Sequence, residues 1–155
     1  MVGADRDEHT SAHTTCPVTR ALEIVGNRWS LLIVRDVFDG VRRFGALQRH
    51  LGIASNILQD RLQFLIQKGV LEVVPASDGS THLEYITTRL GEDLFPVIVT
   101  LRQWAECNLY RDGERYALLL ERVSKQRVKK VEPRLRDGTP MRPANTMVCM
   151  PPADR

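Results

Sequence analysis

From residue 16 onward, apolar residues recur three and four apart, the spacing that lines one face of a helix. Cys16-Pro17 opens the first such segment, because a proline in a first turn loses no needed N–H. Val18, Ala21, Leu22 and Val25 follow, and Gly26-Asn27 closes it. A second helix places Trp29, Leu32, Ile33 and Val37 on one face and stops at Asp39-Gly40. Arg42-Arg43-Phe44 leads to a third, over 45–51, with Leu47 and Leu51 inward. After the turn Gly52-Ile53-Ala54, Ser55 is the expected N-cap of a fourth helix, to about Lys68, that buries Leu58, Leu62, Leu65 and Ile66 and ends at Gly69. The period then shortens. Residues 71–75 and 82–86 read as strands, joined over 76–81 by a loop with an Asp78-Gly79 turn signal. Thr87 is the expected cap of a last long helix to about Tyr110, whose Leu94, Val97, Leu101 and Trp104 have the 3-4-3 spacing of two helices packed side by side. Pro96, well inside that helix, should kink it.

Either side of this pattern the chain is less regular. Residues 1–14 are polar and read as a flexible tail. In the C-terminal extension, 112–155, the segments 116–123 and 128–135 read as strands with an Asp137-Gly138 turn, while the lack of Gly and Pro over 114–132 leaves a helix open as the alternative. Five prolines after residue 131 make the end irregular. The expected organisation is thus a tail over 1–14, a domain over 15–111 and a basic extension over 112–155.

Length and composition fit one soluble domain with a real core: 155 residues, 43% hydrophobic and 26% charged. No apolar run approaches the roughly 18 residues of a membrane span, and the N-terminus carries no secretory pattern, so no membrane partner is expected. Cysteines at 16, 107 and 149 form no CxxC pair, and the four histidines show no ligand spacing. The expectation is a reducing, cytoplasmic location, with no metal and no cofactor. The net charge of +3 is unevenly spread: +4 over 28–68 and +4 over 112–155, against −2 over 1–27 and −3 over 69–111. Concentrated positive charge suits a polyanion met by one face, and equally suits a solvated basic surface.

The order of elements favours the first use. A helix that follows a tight turn can enter the DNA major groove while a neighbouring hairpin reaches the minor groove or backbone. The inward residues of the fourth helix turn Asn56, Gln59, Asp60 and Gln63 outward. Asn and Gln can pair two-pronged with adenine, and Ser55 can bond a phosphate or base edge. Arg42, Arg43 and Arg49 lie beside this face as phosphate contacts.

Cys16-Pro17-Val18, Ala21-Leu22, Gly26-Asn27-Arg28-Trp29, Leu31-Leu32-Ile33 and Arg42-Arg43-Phe44 closely resemble the HxlR-type winged-helix regulators. So do Leu58, Arg61-Leu62, Leu65 and Gly69, then Tyr85, Thr87, Leu94-Phe95-Pro96 and Trp104, and together they cover about 15–110. The resemblance implies an α+β, mainly α fold: a winged helix-turn-helix with a two-stranded β wing, dimerising terminal helices and an added C-terminal segment. It implies a MarR-related bacterial transcription regulator, not an enzyme, binding an inverted-repeat operator as a homodimer. Residues 55–68, Arg61 included, would then read the major groove, with the 76–82 loop, Gly79 and Ser80 at its tip, as the wing. Leu94, Val97, Leu101 and Trp104 would join the dimer interface. Thr19 stands where the family commonly has Glu, Asn56 where a basic residue is common, and the wing carries no Lys or Arg.

Cys16, at a helix N-terminus, is placed where partial positive charge favours a thiolate. In some relatives the matching cysteine senses oxidants or electrophiles, so an oxidant or small-molecule effector is one expectation and a simply buried thiol is the other. Two further functions stay open: a winged helix used for protein–protein contact, which the neutral wing allows, and a thiol enzyme, for which no base or resolving group is in sight.

Overall fold

The computed structural model describes residues 15–150, and the tail expected over 1–14 lies outside the described residues. Among the described residues, six α-helices and one hairpin follow in order: α1 Pro17–Val25, α2 Arg28–Phe38, α3 Phe44–Leu51, α4 Ser55–Gln67, β1 Leu71–Pro75, β2 Leu83–Thr87, α5 Arg89–Glu92 and α6 Phe95–Asn108. This is the winged helix-turn-helix order, mainly helical with a two-stranded antiparallel sheet. By its contacts the chain divides into two compact units, one up to Ile98 and one from Val99.

The core of the first unit explains why these helices stay where they are. Ile33, Val34 and Val37 of α2 meet Leu47 of α3, Leu58, Leu62 and Leu65 of α4, and Val70-Leu71. Fully burying one such side chain contributes about 1.5–3 kcal/mol, so three leucines on one face fix the rotation of α4. Gly52, at φ 61, ends α3 in the left-handed region that the tight turn before α4 requires.

Several boundaries differ from the sequence expectation. Asn27 does not close α1. Its side chain caps α2, with Oδ1 accepting from Trp29 N at 2.9 Å, while Gly26 alone ends α1. Ser55 is the first residue of α4 rather than its cap, a position taken by Ala54. Strand β2 is shifted by one residue and pairs Leu71 with Thr87 and Val73 with Tyr85.

The single long helix expected from Thr87 is two helices. Thr88 caps α5 by accepting from Gly91 N at 3.2 Å, and its hydroxyl and N–H also bond the carbonyls of Gly69 and Val70. Pro96 is the second residue of α6, where its missing N–H costs nothing, so it starts a helix rather than kinking one. Leu94 stands one residue before α6, its carbonyl accepting from Ile98 N at 3.0 Å, and packs partly on the core of its own chain, while Val97, Leu101 and Trp104 lie along α6.

In the second unit, the strands expected over 116–123 and 128–135 reduce to isolated antiparallel bridges, Leu120 with Arg127 and Arg134 with Pro140, and the helical alternative is not formed. Pro133 and Pro140 lack the donors a longer ladder needs. The Gln103 side chain instead acts as a neighbour strand would: it donates to Lys129 O at 3.0 Å and accepts from Val131 N at 2.8 Å. The expected turn at Asp137-Gly138 forms, with Gly138 at φ 86.

Candidate nucleic-acid interface

Helix α4 presents two chemically distinct faces. Leu58, Leu62 and Leu65 are buried, and Ser55, Asn56, Gln59, Asp60 and Gln63 are exposed. The amide side chains, one and two turns apart, therefore form a ridge with free donors and acceptors, the chemistry that reads base edges. Arg61 is half-buried and lies over the Phe64 ring at 5.2 Å, a cation–π contact within the same helix.

Around this ridge the three connector and α3 arginines have different surroundings. Arg42 and Arg49 are exposed. Arg43 is half-buried, pairs with Asp78 of the wing loop and lies 3.6 Å from Glu84 of β2. The wing is thus tied to the connector by the very side chain read from the sequence as a phosphate contact. Asp78 is held well below the usual carboxylate range, first by the Ser80 hydroxyl and N–H and then by Arg43. Gly79 takes φ 74 at the tip, and the Tyr85 N–H bonds Arg42 O at 2.8 Å, so β2 is held to the connector as well as to β1.

A second polar cluster escaped the sequence reading. Asp36 of α2 is 0% exposed and accepts from Arg35, at 2.6 and 2.9 Å, and from His50 Nδ1 of α3 at 2.7 Å. A buried carboxylate needs such partners, and here they fasten α3 to α2 and so set the helix that precedes the ridge. The one available signal was an acid in the apolar run Trp29–Phe38, and nothing in the sequence named His50 as its partner.

Cys16 is the N-cap residue of α1 and partly exposed. The Thr19 hydroxyl, with the N–H groups of Thr19 and Val18, favours its thiolate and lowers its pKa. Cys107 and Cys149 are exposed. Among the described residues no cluster fit to hold a metal occurs, and no helix is long and apolar enough to cross a membrane.

Apolar side chains stand exposed on α1, Val18 at 65% and Leu22 at 57%, and on α6, Val97 at 46%, Leu101 at 50% and Trp104 at 56%. Beside α1 an apolar hollow of about 170 Å³ is lined by Ala21, Ile24, Val25, Val70, Leu90 and Leu94.

A family model described as HxlR-like helix-turn-helix matches residues 24–113. An HTH-type transcriptional regulator of Mycobacterium tuberculosis is 51% identical over 89 residues, 57% of this chain and 56% of that protein. The chain thus matches little more than half the length of that relative. The solved structure of PA1607, described as a candidate transcription factor, superposes with a TM-score of 0.82 at 45% identity, covering 87% of this chain and 94% of the other. That span exceeds 15–111, so the likeness includes residues outside the winged helix. The redox regulator HypR in its reduced form superposes with a TM-score of 0.53 at 26% identity, covering 61% of this chain and 94% of its own.

Proposed function

This chain belongs to the HxlR-like helix-turn-helix family of transcriptional regulators, and on that premise we propose that it binds an inverted-repeat operator as a homodimer, with α4 in the major groove. The observation that carries this reading is the exposed Ser55, Asn56, Gln59, Gln63 ridge, locked in orientation by three buried leucines. Asn56, Gln59 and Gln63 read bases, and Ser55, Arg42 and Arg49 meet phosphates. Arg61 contributes at the edge of the same helix, and the wing, with Gly79 and Ser80 at its tip, follows the backbone. Arg43 joins the phosphate contacts only when it leaves Asp78. Val97, Leu101 and Trp104 on α6 supply apolar surface for dimerisation, and so, within the first unit, do Val18 and Leu22 on α1.

Control operates through Cys16. Its thiolate is the reactive form toward oxidants and electrophiles, and α1 carries both that thiol and part of the dimer surface. Oxidation of Cys16 would change how α1 packs, and the hollow beside α1 suits a small apolar effector. The protein acts in the cytoplasm, on the nucleoid.

Fluorescence anisotropy with the DNA directly upstream of the protein's own gene, beside a scrambled duplex, tests the reading. Preference for the upstream DNA that is lost in Gln59→Ala supports it. Equal, weak affinity for both duplexes refutes sequence-specific operator binding there and favours the protein–protein module. For the sensor, loss of binding on mild oxidation should vanish in Cys16→Ser.

A further inference from the structure

The four net positive charges of the C-terminal segment have no role in the reading above. Residues 119–130 hold five cations, Arg122, Lys125, Arg127, Lys129 and Lys130, against one acid, Glu121. The backbone gathers them on one hairpin. Val128 N bonds Leu119 O at 3.3 Å, Glu121 N bonds Gln126 O at 2.8 Å, and Leu120 bridges Arg127. The tight turn is closed by Lys125 at φ 57, a left-handed conformation unusual for a side chain of that size. Gln103 clamps the returning arm at Lys129 and Val131. Along that arm only Val128 is half-buried, and Lys125, Arg127, Lys129 and Lys130 are exposed.

Arg127 lies over the Tyr116 ring at 5.8 Å and Glu132 stands close enough to Lys130 to feel its charge, but no carboxylate forms an ion pair within the hairpin. Among the described residues, no salt bridge involves Arg122, Lys125, Arg127, Lys129 or Lys130, and Glu121 accepts from the Ser124 hydroxyl. Two cations farther along differ: Arg134 and Arg142 both pair with Glu132, at 3.2 and 2.8 Å. A hairpin arm carrying cations at 125, 127 and 129 suits a polyanion, and duplex DNA, with one charge per about 1.7 Å of axis, offers the density to engage all three.

We propose that the 119–130 hairpin is a second DNA-binding surface, gripping duplex phosphates without reading sequence. The inference rests on the operator-binding reading and adds to it a sequence-independent anchor. Lys125, Arg127 and Lys129 make the contacts. Glutamine at all three leaves the hairpin's backbone bonds and the Gln103 clamp in place.

The test compares full-length parent protein with the Lys125→Gln, Arg127→Gln, Lys129→Gln triple variant across a salt series. The probes are the upstream duplex and a scrambled duplex, each of about 40 base pairs, roughly four helical turns. Each phosphate contact contributes about 0.9 to the slope of log affinity against log salt, so the slope per chain should fall by about 2–3 on both duplexes. The preference for the upstream DNA should survive. The Arg134→Gln, Arg142→Gln pair, whose charges Glu132 already engages, should change the slope less, and matched melting temperatures should exclude misfolding. An unchanged slope in the triple variant overturns the proposal, and so does a loss confined to the upstream duplex. A Gln59→Ala protein that loses preference while keeping the parental slope separates the anchor from the reading head. A parent that binds neither duplex overturns both readings.

Discussion

At the scale of single residues, Arg43 and Cys16 hold charges whose environment decides their use. Asp78→Asn removes the carboxylate that competes with phosphate for Arg43 while keeping an oxygen for the Ser80 N–H. An ion pair open to solvent contributes little to stability, so the wing, held also by the β1–β2 register, should stay in place. The gain in free positive charge then wins. The variant should bind duplex DNA more tightly than the parent, with a salt slope steeper by at most about 0.9, because Glu84 still lies 3.6 Å from Arg43. The depressed pKa of Asp78 fixes the sign of the pH effect. Its contribution is present above the unfolded value near 3.9 and is lost as pH falls through the lower folded value, so the Ser80 amide should stay protected from pH 5 to 8 and loosen only in acid. Cys16 behaves in the same sense, since its donors stabilise the anion. Its alkylation rate should show a midpoint below the roughly 8.5 of a free thiol, and Thr19→Val should move that midpoint upward. Asp36 is different because it is buried. Asp36→Ala strands two partners that can still reach water, a loss of about 1–3 kcal/mol by thermal melting, with weaker operator binding because α3 loses its tie to α2.

Elements were legible where one face is buried and a glycine or a cap punctuates. Helices α2 to α4 and strand β1 follow the apolar spacing and end where Asp39-Gly40, Gly52 and Gly69 break it. The outward ridge of α4 was legible for the same reason, because the inward leucines determine it. What the sequence misassigned depends on neighbours distant in the chain. Thr88 outcompetes Thr87 as a cap because the turn between α4 and β1 offers it two carbonyls, those of Gly69 and Val70. Pro96 looked like a kink only while the break at Asp93-Leu94 was invisible. The Arg43–Asp78 pair spans 35 residues, and no local pattern reports it. The same corner supplies a prediction. A Cβ on Gly91 would lie 2.2 Å from Val70 O, a backbone atom that cannot move without disturbing the start of β1. Gly91→Ala should therefore destabilise the fold by about 1–3 kcal/mol, despite the better helix propensity of alanine. A melting temperature equal to the parent's would show that α5 can shift freely.

At the scale of the whole molecule, the operator recognition proposed above requires two copies to be joined. One α4 reads only a few base pairs, and a pair of linked ridges turns the second contact into an intramolecular event, which can raise affinity by 10²–10⁴. Leu101 and Trp104 are about half exposed on α6 and have no polar atom that water would hold in place apart from the indole N–H. Burying such side chains against a second copy stabilises a dimer by about 25 cal/mol for each Å² of apolar area removed from water. Placing a carboxylate there reverses the sign, because its desolvation costs more than the apolar contact returns. Leu101→Glu should therefore sediment as a monomer where the parent sediments as a dimer, and should bind the upstream duplex at least about 100-fold more weakly. Its helix content should match the parent's, since Leu101 already faces water in the isolated chain. The salt slope per chain should stay near the parental value, because every phosphate-facing cation remains. A monomeric Leu101→Glu protein that still binds with parental affinity would mean that one copy suffices, and the inverted-repeat reading would fall with the dimer.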